Sequence, residues 1–423
     1  MTTEKDNLHV AILEPYYGGS HAAFVDTLAG HTRHRVTLVT LPARKWKWRM
    51  RGAAVWFTRD GDDWLAGADR DPYDVILAND MLAVADLRAL LPVAPPFLGG
   101  AVSSPPARGV QENSPPPTRG GAAWMQRPRR DLPIVCYFHE NQLTYPLPNE
   151  DDRDFQYGMT NITSCLAADA VWFNSQYHLD AFLEAARGLL AKMPDYVPGR
   201  AVDEIRRKAT VMYPPMQVPL RDTDGDAGSK TAHSGAVTFL WPHRWEYDKN
   251  PGPFFDAMIR LHEAGSRFRL VVLGEQFRTA PPVFADVLSR LEPHVDHAGF
   301  VPDRSDYQRL LARCDVVVST AVQENFGMAV AEAIFAGCQP LLPARLAYPE
   351  LIPAELHGTC LYPDDSALTA RLNRLTDRGR LMPPSDRARL ATHLTRLCSV
   401  TDAQPRIDDA LQRLVRRLTD GRS

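Results

Sequence analysis

Residues 314–336 read CDVVVSTAVQENFGMAVAEAIFA, and this run sets the fold. Its opening, 314–319, is a short valine-rich run of the kind that forms a strand buried on both faces, as parallel strands are. Its end, 327–336, has the spacing of a helix. Strand, short loop and helix make half of a βα unit, and the loop falls at the carboxyl end of the strand, where open α/β sheets place ligands. Glu324 lies in that loop and Glu332 on the helix behind it, eight positions apart. The N–H groups of Phe326, Gly327 and Met328 open the helix and suit a diphosphate. A carboxylate accepts two hydrogen bonds, which suits vicinal sugar hydroxyls. A helix with early acids shows the same letters, so the neighbouring segments decide between the two readings.

Outward from this run the pattern repeats. Strands are expected at 8–13, 35–41, 74–78, 133–138, 170–174 and 209–213, with helices near 20–30, 83–91, 153–167 and 176–192 between them. After a polar stretch the alternation restarts, with strands at 237–241, 268–273, 314–319, 339–342 and 359–361. Helices are expected there at 251–264, 281–291, 304–312, 327–336 and 366–378, and two more near 384–398 and 404–419. Alternation of this kind builds parallel sheets covered by helices. A chain of 423 residues is too long for one core and suits two domains of roughly 200 residues. The expected fold class is therefore α/β: a domain at 1–216, a linker at 217–236 and a second domain at 237–400. The helix in 401–423 is expected to pack back on the first domain. Residues 92–130, rich in Pro, Gly, Ser and Arg, interrupt the first domain and read as a mobile insertion.

Three further segments sit where strands end. VTFLWP leads into His243-Arg244-Trp245-Glu246-Tyr247-Asp248-Lys249-Asn250 just before a helix. Arg244 and Lys249 there can neutralise a leaving diphosphate, the task that falls to cations when no metal does it. The D-x-D triplets at 60–62, 222–224 and 224–226 fall in loop or linker sequence, so no metal site is expected. IVCYF ends in His139-Glu140-Asn141-Gln142, a polar run aimed at the cleft, with His139 placed to touch a transferred group. The first strand ends in a Gly18-Gly19 turn before a helix, where a backbone can approach a ligand closely.

The net charge of −3 excludes a protein that binds polyanions by bulk charge. A local patch stands out instead: Arg44, Lys45, Trp46, Lys47, Trp48, Arg49, Met50 and Arg51 interleave five cations with two tryptophans. Cations bind phosphates and indole faces stack on unpaired bases, so the segment is an RNA-binding candidate. A snorkelling surface segment over a half-buried Trp gives the same letters. No run of 18 apolar residues suggests a membrane helix, and the N-terminus lacks the features of a signal peptide. The six scattered cysteines read as reduced core residues of a cytoplasmic protein.

At these residues the sequence resembles the tRNA-queuosine alpha-mannosyltransferases, retaining enzymes of the GT-B fold. The matching stretches are EPYYGGSH (14–21), TLPARKWKWR (40–49), YFHENQLTYP (137–146), RDFQYG (153–158), FNSQYH (173–178), WPHRWEYDKNP (241–251), VLGEQF (272–277) and ENFGMAVAEA (324–333). Two acids eight apart with a phosphate-binding Arg and Lys are common to many retaining GT-B enzymes; KWKWR, FHENQL, RDFQYG and WPHRWE are far more specific. The resemblance implies two Rossmann-like domains facing a cleft, GDP-mannose as donor, queuosine in the anticodon loop of a tRNA as acceptor, and retention without a metal; no membrane is expected, and no protein partner can be inferred from the sequence. It implies that Arg244 and Lys249 hold the diphosphate, Glu332 the nucleoside ribose and Glu324 the mannose hydroxyls. His139 and the Gly18–Gly19 turn then line the sugar, and Arg44 to Arg49 meet the RNA. On the residues alone three rivals stay open: a glycosyltransferase with a lipid or polysaccharide acceptor, a catalytically silent RNA-binding protein of the same fold, and a nucleotide-sugar epimerase of that fold. The insertion at 92–130 is not part of the family pattern.

Overall fold

In the computed structural model, β1 (His9–Tyr17) shows why the strand segments are apolar runs rather than alternating patterns. Val10 and Ile12 join one core, while Ala11 and Leu13 join another on the opposite face. With helices on both faces, each side of the pleat must be apolar. Residues 7–61, 73–91, 131–147, 149, 153–218, 236–275, 283–378 and 381–420 are described. The insertion at 92–130 and nearly all of the linker at 217–236 lie outside them.

The first lobe contains β1, α1 (Gly19–His31), β2 (Arg35–Pro42), α2 (Trp46–Arg59), β3 (Val75–Asn79), α3 (Val84–Leu90), β4 (Ile134–Phe138), α4 (Phe155–Ala167), β5 (Ala170–Phe173), α5 (Gln176–Leu190), α6 (Arg200–Lys208) and β6 (Ala209–Val211). Its sheet runs β2-β1-β3-β4-β5-β6. The second lobe begins with β7 (Val237–Pro242), α7 (Pro251–Glu263), β8 (Phe268–Leu273), α8 (Val283–Arg290) and β9 (Val295–Gly299). It continues with α9 (Arg304–Arg313), β10 (Val316–Val318), α10 (Met328–Phe335), β11 (Gln339–Pro343), α11 (Tyr348–Leu351), α12 (His357–Cys360), β12 (Leu361–Tyr362), α13 (Asp365–Arg378) and α14 (Pro384–Cys398). Its sheet runs β12-β11-β10-β7-β8-β9. The strand pairs within both sheets are parallel. Strand order reverses between β1 and β3 in one lobe and between β7 and β10 in the other, and such switch points open crevices for ligands.

The last helix, α15 (Val400–Asp420), returns to the first lobe. Its Ile407, Leu411 and Leu414 share a core with Leu8, Val10, Phe24 and Trp172. Asp408 fastens it by accepting from Thr32 Oγ1 at 2.6 Å and from the Arg33 amide at 3.1 Å. The chain crosses between lobes beside itself: the Met216 amide donates to Cys398 O at 2.7 Å and the Val400 amide to Met216 O at 2.8 Å.

Several elements differ from the sequence expectation: α11 was not expected, and α12 occupies most of the strand expected at 359–361, leaving β12 only at Leu361–Tyr362. β9 was not expected: it is the outer edge of its sheet, half solvated, and its Val-Asp-His-Ala-Gly sequence has no apolar run. The basic segment at 44–51 proves largely helical, as the first turns of α2, entered through Lys45 in the left-handed region (φ 56°). α6 was also missed, because it buries only Val202 and Ile205 among charged residues. The six cysteines are buried and free.

Candidate active site

The carboxyl ends of β7 and β10 bring two of the sequence candidates into contact. After β7 the chain makes a 3-10 turn, Tyr247–Lys249, and enters α7 through Asn250 in the left-handed region (φ 48°) with Pro251 at the first helical position. This turn aims Lys249 inward, and the side chain is buried. Lys249 Nζ donates to Gln323 O at 2.9 Å and lies 3.1 Å from Asp248 Oδ2 and 3.5 Å from Glu324 Oε2. Burial works against its charge, but the Glu324 and Asp248 carboxylates outweigh it and hold the ammonium above the usual lysine range. Arg244, on the same loop, is half exposed and lies 3.0 Å from Glu246 Oε2. Gly274 fixes this loop against the end of β8, since a Cβ there would lie 1.9 Å from His243 O.

Gly327 takes φ 97° at the N-cap of α10, leaving the first amides of that helix without a side-chain cap. Any side chain there is strained by the backbone and would also press on Tyr348 and Leu351. Phe326 is buried beneath the turn and Met328 begins the helix. One turn on, Glu332 meets α9: Arg304 donates to Oε1 at 2.6 Å and Tyr307 OH to Oε2 at 2.9 Å. Glu332 is thus oriented by α9, and Glu324 by Lys249.

The facing wall comes from β1, β3 and β4. Gly18 is extended and Gly19 adopts φ 54°. A Cβ on Gly18 would lie 2.5 Å from Ala43 Cβ, so this turn packs against the chain entering the basic segment. Below it Glu14 is fully buried, accepting from the Tyr16 amide at 2.7 Å, from His21 Nδ1 at 3.3 Å and from Asn79 Nδ2. Burial opposes the His21 charge, but Glu14 more than offsets it and pushes the imidazole up to about 9. His139 packs against His21 with ring centroids 4.2 Å apart and the rings tilted. Burial, then the charge of His21, drives His139 well below the ordinary histidine value, so it is neutral. Its Nε2 is buried with no hydrogen-bond partner among the described residues. Glu14, His21 and His139 are also the one group of metal-ligand types gathered among the described residues, with donor atoms within 4.8 Å. Glu14 is already committed to His21 and Asn79, and the two rings lie 37° from coplanar. In this structure Glu14 and His21 form an ion pair beside the neutral imidazole of His139.

The lobes meet around this site. Asn325 Nδ2 donates across the cleft to His139 O at 3.2 Å, and Tyr247 OH to Pro146 O. Glu350 accepts from the Gln176 and Tyr177 amides at 2.9 and 2.7 Å, capping α5 from the other lobe, and from Tyr213 OH at 2.8 Å. Sequence reading missed Asp248, Glu350, Glu14, His21, Arg304 and Tyr307. A carboxylate directly after the apolar run 8–13, still inside β1, would have signalled Glu14; Glu350 carries no such signal. Of the basic segment, Arg44, Lys45 and Lys47 are exposed, Trp48 is 75% exposed, and Trp46 is half-buried against Tyr157 with centroids 5.0 Å apart. Arg49 is turned back, donating to Pro42 O at 3.2–3.3 Å.

Two parallel-sheet lobes, each with its switch point opening on a shared cleft, make the GT-B fold. The same architecture occurs in Anabaena HepE, crystallised with UDP, at TM-score 0.61 and 14% identity over 96% of this chain and 100% of that one. It also occurs in the sucrose-phosphate synthase of Thermosynechococcus elongatus, at TM-score 0.63 and 13% identity over 96% and 99%. Residues 227–392 match the glycosyl transferases group 1, and residues 9–97 and 122–216 match the tRNA-queuosine alpha-mannosyltransferase N-terminal domain. Over 377 residues the chain is 34% identical to a tRNA-queuosine alpha-mannosyltransferase of Drosophila melanogaster, spanning 86% of each chain. The chain belongs to the tRNA-queuosine alpha-mannosyltransferase family. It is a glycosyltransferase.

Proposed function

We propose that the enzyme transfers mannose from GDP-mannose to queuosine in the anticodon loop of a tRNA of the tRNA-Asp type, in the cytoplasm, retaining the anomeric configuration and using no metal. The observation that carries this reading is the buried Lys249–Glu324 contact at the mouth of β7 and β10. It sets a cation for phosphate beside a carboxylate for sugar hydroxyls. Arg244, Lys249 and the amides of Phe326, Gly327 and Met328 take the diphosphate, and Glu332 takes the ribose. The neutral Nε2 of His139 and the Gly18–Gly19 turn line the mannose. In the reaction the bond from C1 to the phosphate oxygen breaks. The acceptor oxygen bonds C1 on the same face, and its proton passes to a donor phosphate oxygen. The leaving charge falls on preorganised cations and dipoles, so a protein nucleophile is not needed.

A mannosyltransferase of Mycobacterium tuberculosis described as GDP-mannose-dependent supports the donor, being 30% identical over 122 residues, 28% of this chain and 29% of that one. Among the described residues no helix is long and apolar enough to cross a membrane. The test is to incubate the enzyme with tRNA from cells with and without queuosine, across several nucleotide sugars, and to read the nucleosides by mass spectrometry. One hexose is expected on queuosine, with GDP-mannose and with a chelator present. Hexose on no nucleoside, or only with another sugar nucleotide or added metal, overturns the corresponding part.

A further inference from the structure

The aromatic and cationic character of α2 does not stop at α2. Tyr157 on α4 packs against Trp46, with Lys47 Nζ 5.9 Å and Arg51 Cζ 5.3 Å from its ring centroid. Arg51 also donates to Gln156 Oε1 at 3.0 Å. Next along α4, Phe155 is 44% exposed at the helix start, and Lys192, just past α5, holds its ammonium 4.6 Å from that ring. Rings and cations therefore alternate across three helices: Trp48, Lys47, Tyr157, Arg51, Phe155, Lys192. Among the described residues Asp154, at the start of α4, caps that helix by accepting from the Gln156 amide at 3.0 Å; in the sequence it follows Glu150, Asp151 and Asp152, which lie outside the described residues.

Beside Phe155 and Lys192 lies a cavity of about 250 Å³ with an apolar floor at Leu143 and Leu189 and polar groups at Gln142 and Arg153. Arg153 ties its wall to the active site, donating to the carbonyls of Gln142, Leu143 and Tyr145 at 2.9–3.2 Å, on the loop that begins at His139. An apolar slot with one open aromatic wall and a cationic rim is suited to an unstacked base with its phosphate.

We infer that the RNA-binding surface extends from α2 across the start of α4 to the end of α5, and that the cavity beside Phe155 receives an unpaired base of the acceptor loop next to the nucleoside that reacts. This rests on the reading of the acceptor as RNA. It adds a second base subsite, with Phe155 as stacking platform and Lys192 as phosphate partner.

Gly188 provides a clean test. It lines the cavity, and a Cβ there meets nothing within 4 Å, so Gly188→Leu adds bulk at the slot from a position open at Cβ. Gly188→Leu, Phe155→Ala and Lys192→Ala are compared with the wild type for transfer to full-length tRNA, for transfer to the free modified nucleoside and for donor hydrolysis without acceptor. The expected result is KM for tRNA raised about tenfold by each variant, with nucleoside transfer and donor hydrolysis unchanged. For Lys192→Ala the salt dependence of tRNA binding should also flatten by about one phosphate. Unchanged KM for tRNA in all three variants, while the wild type modifies tRNA, overturns this inference alone. So does an equal loss on tRNA and on nucleoside, which marks a structural effect, or a change confined to self-association, which marks a protein interface. A wild type that hydrolyses donor but modifies no tRNA overturns the acceptor reading, and the subsite with it.

Discussion

The two walls of the cleft solve different chemical problems with different materials. On the C-terminal wall Lys249, Arg244 and Arg304 each lean on a carboxylate, at 3.5, 3.0 and 2.6 Å. Charge there is abundant and held in position, as a polyanionic leaving group requires. On the N-terminal wall the charge is sealed below the surface in the Glu14–His21 pair, and beside it stands the neutral imidazole of His139, whose Nε2 is buried and has no hydrogen-bond partner among the described residues. A neutral imidazole discriminates by hydrogen-bond direction rather than by charge, which suits a hydroxylated sugar. On the proposed reading the C-terminal wall alone holds the nucleotide, while the sugar is handled from both walls, by Glu324 on one and His139 on the other.

The sharpest way to break that division is Lys249→Ala. Transfer should fall about 10²–10³-fold, and the fold should lose about 3–5 kcal/mol because Asp248 and Glu324 keep their charges without a partner. Wild-type turnover in this variant would remove the C-terminal wall from phosphate chemistry. Next comes His139→Ala, expected to lower kcat about tenfold to a hundredfold, the cost of a lost hydrogen bond or two, while calorimetric binding of GDP stays unchanged. Weakened GDP binding would mean that the C-terminal wall does not hold the nucleotide alone. Glu332→Gln should do the reverse, raising donor KM about tenfold with kcat nearly intact. The smallest effect is one of pH. His21 is raised in the folded state, so the stability it contributes is fully present below about pH 6.5 and is lost as pH rises through about 9. The melting-temperature advantage of wild type over His21→Asn should therefore shrink across that window, and a constant difference would deny the ion pair.

How legible the molecule was depends on where apolar letters were needed. β1, β4, β7 and β10 lie inside their sheets and were plain as runs, whereas β9, an edge strand half in water, offered none. α2 hid behind its cations because its buried side, Met50, Ala53, Ala54 and Phe57, emerges only beyond the basic stretch. In the site, Lys249 and Glu324 were found because each follows a strand closely, which is where parallel sheets present side chains. Glu350 and Tyr307 were missed because their partners, the α5 amides and Glu332, are distant in sequence and close only once the lobes are built.

The return of α15 to the first lobe has a consequence for shortened versions of the protein. The helix leaves the second lobe at Val400 and covers an apolar stripe that includes Trp172 and Phe24. A chain cut at 399 keeps both sheets and every residue assigned to donor binding, yet bares that stripe to water. Such a truncation is expected to precipitate before its chemistry can be assayed.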